Sequence, residues 1–258
     1  MLEFDAKTTR LLEVAYQGAD VTRRRQASFD ALQPAPGETI LDIGCGNGLL
    51  TLELARAVGT AGKVVGIDPS PDMRTAAIAR CKEFETVDIL DAQAIGIPMK
   101  DGSADKAASI QVFEYVEDLP AASKEVFRVL RKGGRLAIGV LHLDSLIWHS
   151  DEPDRMARMI AAWDHHFVER RIPAVLPSFL REAGFVVDEI KPVTVCDYVL
   201  KTDGLANLMM HVMEAYVVGQ GHISENEGRL WREEQHALAK KGRFFFSITH
   251  FVICARKP

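Results

Sequence analysis

Through the first 140 residues, short runs rich in β-branched residues alternate with longer amphipathic ones, and this alternation constrains the fold more than any other feature of the chain. Thr39 to Ile43 follows Pro36-Gly37 and precedes a glycine cluster, so it reads as a strand. Asn47 to Val58 carries apolar residues at helical spacing. Lys63 to Asp68, Thr86 to Leu90, Lys106 to Gln111 and Arg135 to Leu141 supply four more strands, and Asp72 to Cys81 and Leu119 to Leu130 two more helices. Lys132-Gly133-Gly134 is expected to end the last of these as a glycine C-cap. Strands separated by helices pair in parallel, because each helix carries the chain back across the sheet and covers one of its faces. The expectation is an α/β protein with a doubly wound, mostly parallel sheet.

After Leu141 the alternation breaks. Residues 142–175 hold four of the eight histidines and two of the three tryptophans, and read as irregular or helical. Leu176 to Ala183 is expected as a helix ended by Gly184, Phe185 to Val195 as a strand, and Thr202 to Val218 and Ser224 to Lys241 as helices. Ser224-Glu-Asn-Glu227 is a capping-box pattern, and Phe244 to Ala255 is strand-like. No internal repeat or low-complexity segment interrupts the 258 residues, a length suited to one α/β domain. The net charge of −5 argues against a nucleic-acid partner, which calls for a basic excess. No apolar run approaches the roughly 20 residues of a membrane span, and no leader pattern opens the chain. Cys45, Cys81, Cys196 and Cys254 are scattered without a Cys-x-x-Cys pair, which suits a reducing cytoplasm.

Leu41-Asp42-Ile43-Gly44-Cys45-Gly46-Asn47-Gly48 joins an expected strand to an expected helix. Glycines at that junction let the chain turn sharply and let a ligand approach the backbone. Asp42 sets a carboxylate beside the loop. Asp68, some 20 residues beyond it, ends the second strand, where an acid can accept from both hydroxyls of a ribose. Asp91, after the third strand, can accept from an adenine amine or cap the next helix. Dinucleotide folds share the loop and the second-strand acid, but their spacing is Gly-x-Gly-x-x-Gly, with helix amides on a pyrophosphate. Here the spacing is Gly-x-Gly-x-Gly, and Asp42 would repel a pyrophosphate. A cationic nucleoside such as S-adenosylmethionine suits this site better.

On these residues the chain resembles the class I S-adenosylmethionine-dependent methyltransferases, most closely their small-molecule branch of the ubiquinone and menaquinone biosynthesis type. Leu41 to Gly48 is similar to the first motif and Gly66-Ile-Asp68-Pro-Ser to the second-strand acid. Asp91-Ala92 with Ile97 to Ser103 resembles the adenine segment, Val129 to Gly134 the turn before the fifth strand, and Phe179 to Phe185 the segment before the sixth. Tyr16 with Arg23 to Gln26, and Gly242 to Ser247, resemble the branch at the two ends. The resemblance implies a Rossmann-like sheet of seven strands, one antiparallel, and direct methyl transfer without a metal. It also implies a cofactor set of Tyr16, Arg25, Asp42, Gly44, Cys45, Gly46, Asp68, Pro69, Met73, Asp91, Ala92 and Gln111. The expected layout is a single domain: an N-terminal helical segment over 1–34, a cofactor-binding half over 35–141, and helical cap insertions over 142–175 and 196–243. Gln111-Val-Phe-Glu-Tyr115 stands where relatives often carry a histidine.

Displacement at a methyl sulfonium needs alignment, and a base only for hydroxyl or carbon acceptors. Glu114 and Tyr115 follow the fourth strand and His142 the fifth, at the carboxyl edge where such sheets bind ligands, so these three are the catalytic candidates. Trp163-Asp-His-His166 is a second candidate cluster. No Asp, Glu and His set has metal-ligand spacing. Met209, Met210, Met213 and Tyr216, with His142 or His211 as polar groups, are expected to close over a small, partly apolar methyl acceptor. The alternatives are methylation of a protein side chain, or a regulatory protein that binds the cofactor without turnover.

Overall fold

The computed structural model describes residues 16–258, so the first fifteen residues of the expected N-terminal segment lie outside the described residues. Helix α1 (Ala19–Leu32) precedes the alternating half: β1 (Thr39–Ile43), α2 (Leu49–Val58), β2 (Lys63–Ile67), α3 (Pro71–Cys81), β3 (Val87–Leu90), β4 (Ala104–Ile110), α4 (Leu119–Val129) and β5 (Leu130–Leu141). Then follow β6 (Ile147–Trp148), α5 (Pro153–Asp164), α6 (Ile172–Glu182), β7 (Val186–Asp197), α7 (Leu205–Gly219), α8 (Glu225–Lys240) and β8 (Phe246–Arg256). The sheet runs β3-β2-β1-β4-β5-β8, with β7 and the two-residue β6 also bonded to β8. Strands β1 to β5 are parallel, and β8 runs antiparallel to β5 and β7. This is the expected doubly wound sheet with one reversed strand, plus the short β6.

Adjacent residues of each strand serve opposite layers. Ile40 packs with Leu32, Leu54, Val58 and Val64 under α1 and α2, while Leu41 packs with Val126, Ile138, Leu176 and Leu180 under α4 and α6. That is the period of two of a pleated strand buried on both faces. A third apolar cluster, around Trp163, Met210, Met213, Trp231 and Phe246, joins α5, α7 and α8 above the carboxyl edge.

Several element ends follow from their caps. Ser70 Oγ accepts from Met73 N at 3.3 Å with Pro71 opening α3, and Ser224 Oγ accepts from Glu227 N at 3.2 Å, half of the expected capping box. Two boundaries differ from expectation. Helix α4 ends at Val129, not at the glycines: Leu130 is already extended and pairs with Ala104. Gly133, at φ +75°, instead shapes the start of β5 and donates its N–H to Lys257 O at 2.8 Å. Helix α6 begins at Ile172, four residues early, because Pro173 sits in the first turn, where its missing N–H costs nothing.

Candidate active site

The glycine loop lies between β1 and α2. Gly44 has φ +66°, and a Cβ there would fall 2.2 Å from Val112 Cγ2; Gly48 has φ +80°, with a Cβ 2.9 Å from Ala77 Cα. Backbone sterics and close packing both demand glycine at these two positions. The loop is tied to the second strand: Cys45 N donates to Ile67 O at 2.9 Å, and Gly46 N donates to Asp68 Oδ2 at 3.0 Å. Ser70 N donates to Asp68 Oδ1 at 2.9 Å. A carboxylate offers about four acceptor sites, so two backbone bonds fix the plane of Asp68 and leave room for two ligand hydroxyls. Burial raises the Asp68 carboxyl above its usual range.

Asp42 is also buried, and its Oδ2 accepts from Thr51 Oγ1 at 2.6 Å. Burial pushes its carboxyl up to about 7. A cation placed nearby would favour the ionised form. Both acids face a cavity of ≈ 260 Å³ that also presents Tyr16, Gly44, Cys45, Gly46, Pro69, Met73, Gln111 and Tyr115. Burial pushes the Cys45 thiol up, which leaves it a packing residue rather than a nucleophile. Gln111 sits at φ +56°, a sparsely populated region for a side chain of its size, at the end of β4 where the cavity floor begins.

The structure differs from the sequence expectation at several residues. Arg25 reaches the cavity wall but is engaged, with Nε on Glu53 Oε1 at 2.9 Å and Nη1 on Tyr16 O at 3.0 Å. The neighbouring Arg24 is 1% exposed, lines the cavity, and keeps Nε and Nη1 without a hydrogen-bond partner. Burial lowers its pKa to about 10, so it stays charged at neutral pH. Helical phase decides between the two: adjacent residues diverge by about a quarter turn or more. Asp91 and Ala92 do not line the cavity. The Asp91 side chain is 70% exposed and pairs with Arg74 at 3.0 Å.

A second cavity of ≈ 100 Å³ adjoins the first and shares Tyr16, Arg24, Gln111 and Tyr115 with it. Leu141, Leu143, Trp163, His166 and Phe167 close one side; Leu205, Leu208, Met209 and Val212 of α7 close the other. Tyr115 Oη lies 3.1 Å from His166 Nε2, and burial lowers the His166 imidazole to about 4. The imidazole is therefore neutral at physiological pH. Of the expected lid residues only Met209 lines this cavity. Met210 and Met213 are fully buried, Tyr216 packs on Trp163, and His211 is exposed with Nδ1 3.0 Å from Asn207 O. The three catalytic candidates separate as well. Tyr115 faces both cavities, whereas Glu114 and His142 face neither. Glu114 is buried, accepts from Leu141 N at 3.1 Å through Oε1, and holds Val168 N at 2.9 Å through its carbonyl. Burial pushes its carboxyl up to about 7. His142 packs edge-on to Phe251 at 6.2 Å, with Nδ1 unpartnered. It follows the fifth strand as expected, at the start of the 3-10 turn over Leu143–Ser145, but lines neither cavity.

A parallel sheet with one reversed strand, a glycine loop after β1 and an acid at the end of β2 are the parts of a class I S-adenosylmethionine-dependent methyltransferase domain. Residues 41–138 match the family described as methyltransferase domain. Over 238 residues it is 32% identical to a 37.1 kDa protein in transposon TN4556 of Streptomyces fradiae, an alignment covering 90% of this chain and 66% of the relative. Over 102 residues it is 37% identical to a demethylmenaquinone methyltransferase of Lactococcus lactis, covering 39% of this chain and 40% of the relative. The chain thus spans less than two thirds of the length of either curated relative. Among solved structures, a putative methyltransferase of Bacillus halodurans superposes with a TM-score of 0.65 at 16% identity, covering 91% of this chain and 98% of that one.

Proposed function

We propose that this chain is an S-adenosylmethionine-dependent methyltransferase that moves a methyl group to a small, partly apolar molecule in the cytoplasm. The observation that carries the reading is one cavity holding two buried carboxylates, Asp42 and Asp68, on a glycine loop whose backbone permits close approach. Asp68 would take the ribose hydroxyls and Asp42 would complement positive charge, while Arg24, rather than Arg25, keeps guanidinium nitrogens free of hydrogen bonds where the two cavities meet. The cofactor supplies an electrophilic methyl group on a sulfonium. The chain's own part is to orient it, exclude water, and hold an acceptor in line. Residues of both late insertions reach the second cavity, which supports reading 142–175 and 196–243 as a cap over the acceptor. Among the described residues no helix is long and apolar enough to cross a membrane. The names of relatives such as the Lactococcus lactis enzyme support a small-molecule acceptor. Calorimetry with S-adenosylmethionine, S-adenosylhomocysteine and a nicotinamide dinucleotide tests the reading. The first two should bind, and a tighter dinucleotide would sink it.

A further inference from the structure

Resting on that reading, we propose that the second cavity is an oxyanion site: it takes an acceptor with an acidic hydroxyl on a flat unsaturated frame, held as its anion by Arg24 and the Tyr115 hydroxyl. His166 is the positioning residue that aims Tyr115. The two cavities meet at Tyr16, Arg24, Gln111 and Tyr115, so an acceptor atom facing the cofactor site must pass these four side chains. Every other wall is apolar or aromatic apart from His166. Tyr115 and Phe167 stack at 5.7 Å and 24°, and Trp163 stands at 90° to Phe167 at 5.4 Å. Planar walls of this kind favour a planar guest.

The polar groups at the junction select its charge. Arg24 is a buried cation with two nitrogens lacking a hydrogen-bond partner, and Glu114, the nearby buried acid, accepts from Leu141 N through Oε1 and keeps Oε2 without a partner. Tyr16, Glu114 and Asp20 act on the Arg24 charge from nearby, but no hydrogen bond reaches those two nitrogens, and an anionic oxygen at the junction would supply one. His166 has no partner at Nδ1. A neutral ring with its proton on Nε2 donates to Tyr115 Oη, which leaves the Tyr115 hydrogen free for a ligand oxygen. The left-handed Gln111 lies at the same junction, where strained backbone is tolerated for a side chain's placement. The hydroxyl proton leaves to water as the acceptor binds. The acceptor oxygen then forms its bond to the methyl carbon while the carbon–sulfur bond breaks and the electron pair stays on sulfur. An anion and a sulfonium become a neutral ether and a neutral thioether, a step favoured where water is excluded.

The test reads ionisation, not turnover. 4-Nitrophenol, whose anion has its own visible absorbance, is titrated into the full chain with S-adenosylhomocysteine present, with 4-nitroaniline and nitrobenzene as comparators. The titratable groups lining the second cavity are Tyr16, Arg24, Tyr115 and His166; Glu114, Asp20 and buried His250 lie within electrostatic reach of Arg24. Bound nitrophenol should ionise at least one pH unit below the free probe and bind at least tenfold tighter than either comparator. Arg24→Gln should abolish the shift, and Tyr115→Phe should shrink it. His166→Ala should shrink it as well, with His166→Gln restoring it, since a glutamine amide can still donate to Tyr115. Circular dichroism and thermal unfolding certify each variant's fold. Nitrophenol that fails to bind, ionises as in free solution, or is matched by nitroaniline overturns the oxyanion site while S-adenosylhomocysteine binding leaves the methyltransferase reading standing. No binding of S-adenosylhomocysteine at all would bring down that reading itself.

Discussion

Between Thr39 and Leu141 the molecule places single charges on a constrained backbone, whereas in the proposed cap, 142–175 and 196–243, it fills space with bulk. In the first region, Gly44 and Gly48 hold left-handed conformations, and two backbone N–H groups fix the plane of Asp68. In the second, Met209, Met210, Met213, Trp163 and Trp231 pack as one apolar cluster with few polar directions. A site built from backbone and charge tolerates almost no change at a few positions. A site built from apolar packing tolerates many substitutions of similar volume and pays mainly for lost volume.

The largest contrast should come from Gly44→Ala. A left-handed alanine costs of the order of 1–3 kcal/mol and overlap with Val112 about as much again, so the loop should rearrange and cofactor binding should vanish in calorimetry. Trp231→Ala, in the fully buried heart of the cap, should lower unfolding free energy by about 3–5 kcal/mol, yet leave cofactor affinity unchanged in the folded fraction. Equal loss of affinity in both variants would erase the distinction between the regions.

Asp68→Ala sharpens the comparison by removing charge without volume strain. Hydrogen bonds to a charged group contribute about 1.5–3 kcal/mol, roughly 10- to 150-fold in affinity. Unchanged affinity with unchanged folding would move the ribose elsewhere.

A pH series adds a smaller effect with a definite sign. Burial pushes the Asp42 carboxyl up to about 7, and a cationic ligand prefers its ionised form. Affinity should therefore rise with pH up to about 7 and level above it, by at most about tenfold per unit. Asp42→Asn should flatten the rise. The smallest effect belongs to Asp91→Ala: its side chain is exposed and pairs with Arg74, and such pairs contribute about 0–1 kcal/mol. A large loss of affinity there would bring Asp91 back into the adenine site.

Much of the first region was legible in the chain. Strand positions, loop and second-strand acid follow from local spacing, because a Gly-x-Gly-x-Gly between strand and helix has few conformations open to it. The boundary at Val129 was not legible, since pairing of Leu130 with Ala104 overrides the helical pattern that runs on to it. In the cap the helices were legible, but their contacts were not. Met209, Met210 and Met213 look alike in sequence, and only Met209 reaches the cavity. His142 and His166 were both candidates, and position along the chain favoured the wrong one for the crevice. A clue to Arg24 over Arg25 existed in the phase of α1, had its buried face been known.

By itself the sequence determined the alternating α/β class, the parallel sheet, the glycine loop and the acids beside it, because these depend on residues near one another and on conformations few side chains permit. Tertiary structure alone decided which arginine keeps guanidinium nitrogens free of hydrogen bonds, which histidine meets Tyr115, and that Asp91 faces solvent. Those outcomes rest on how the cap and α1 pack across the carboxyl edge, where residues more than a hundred positions apart, such as Arg24 and His166, come to line one cavity. Long-range packing of this kind has no local signature in the chain.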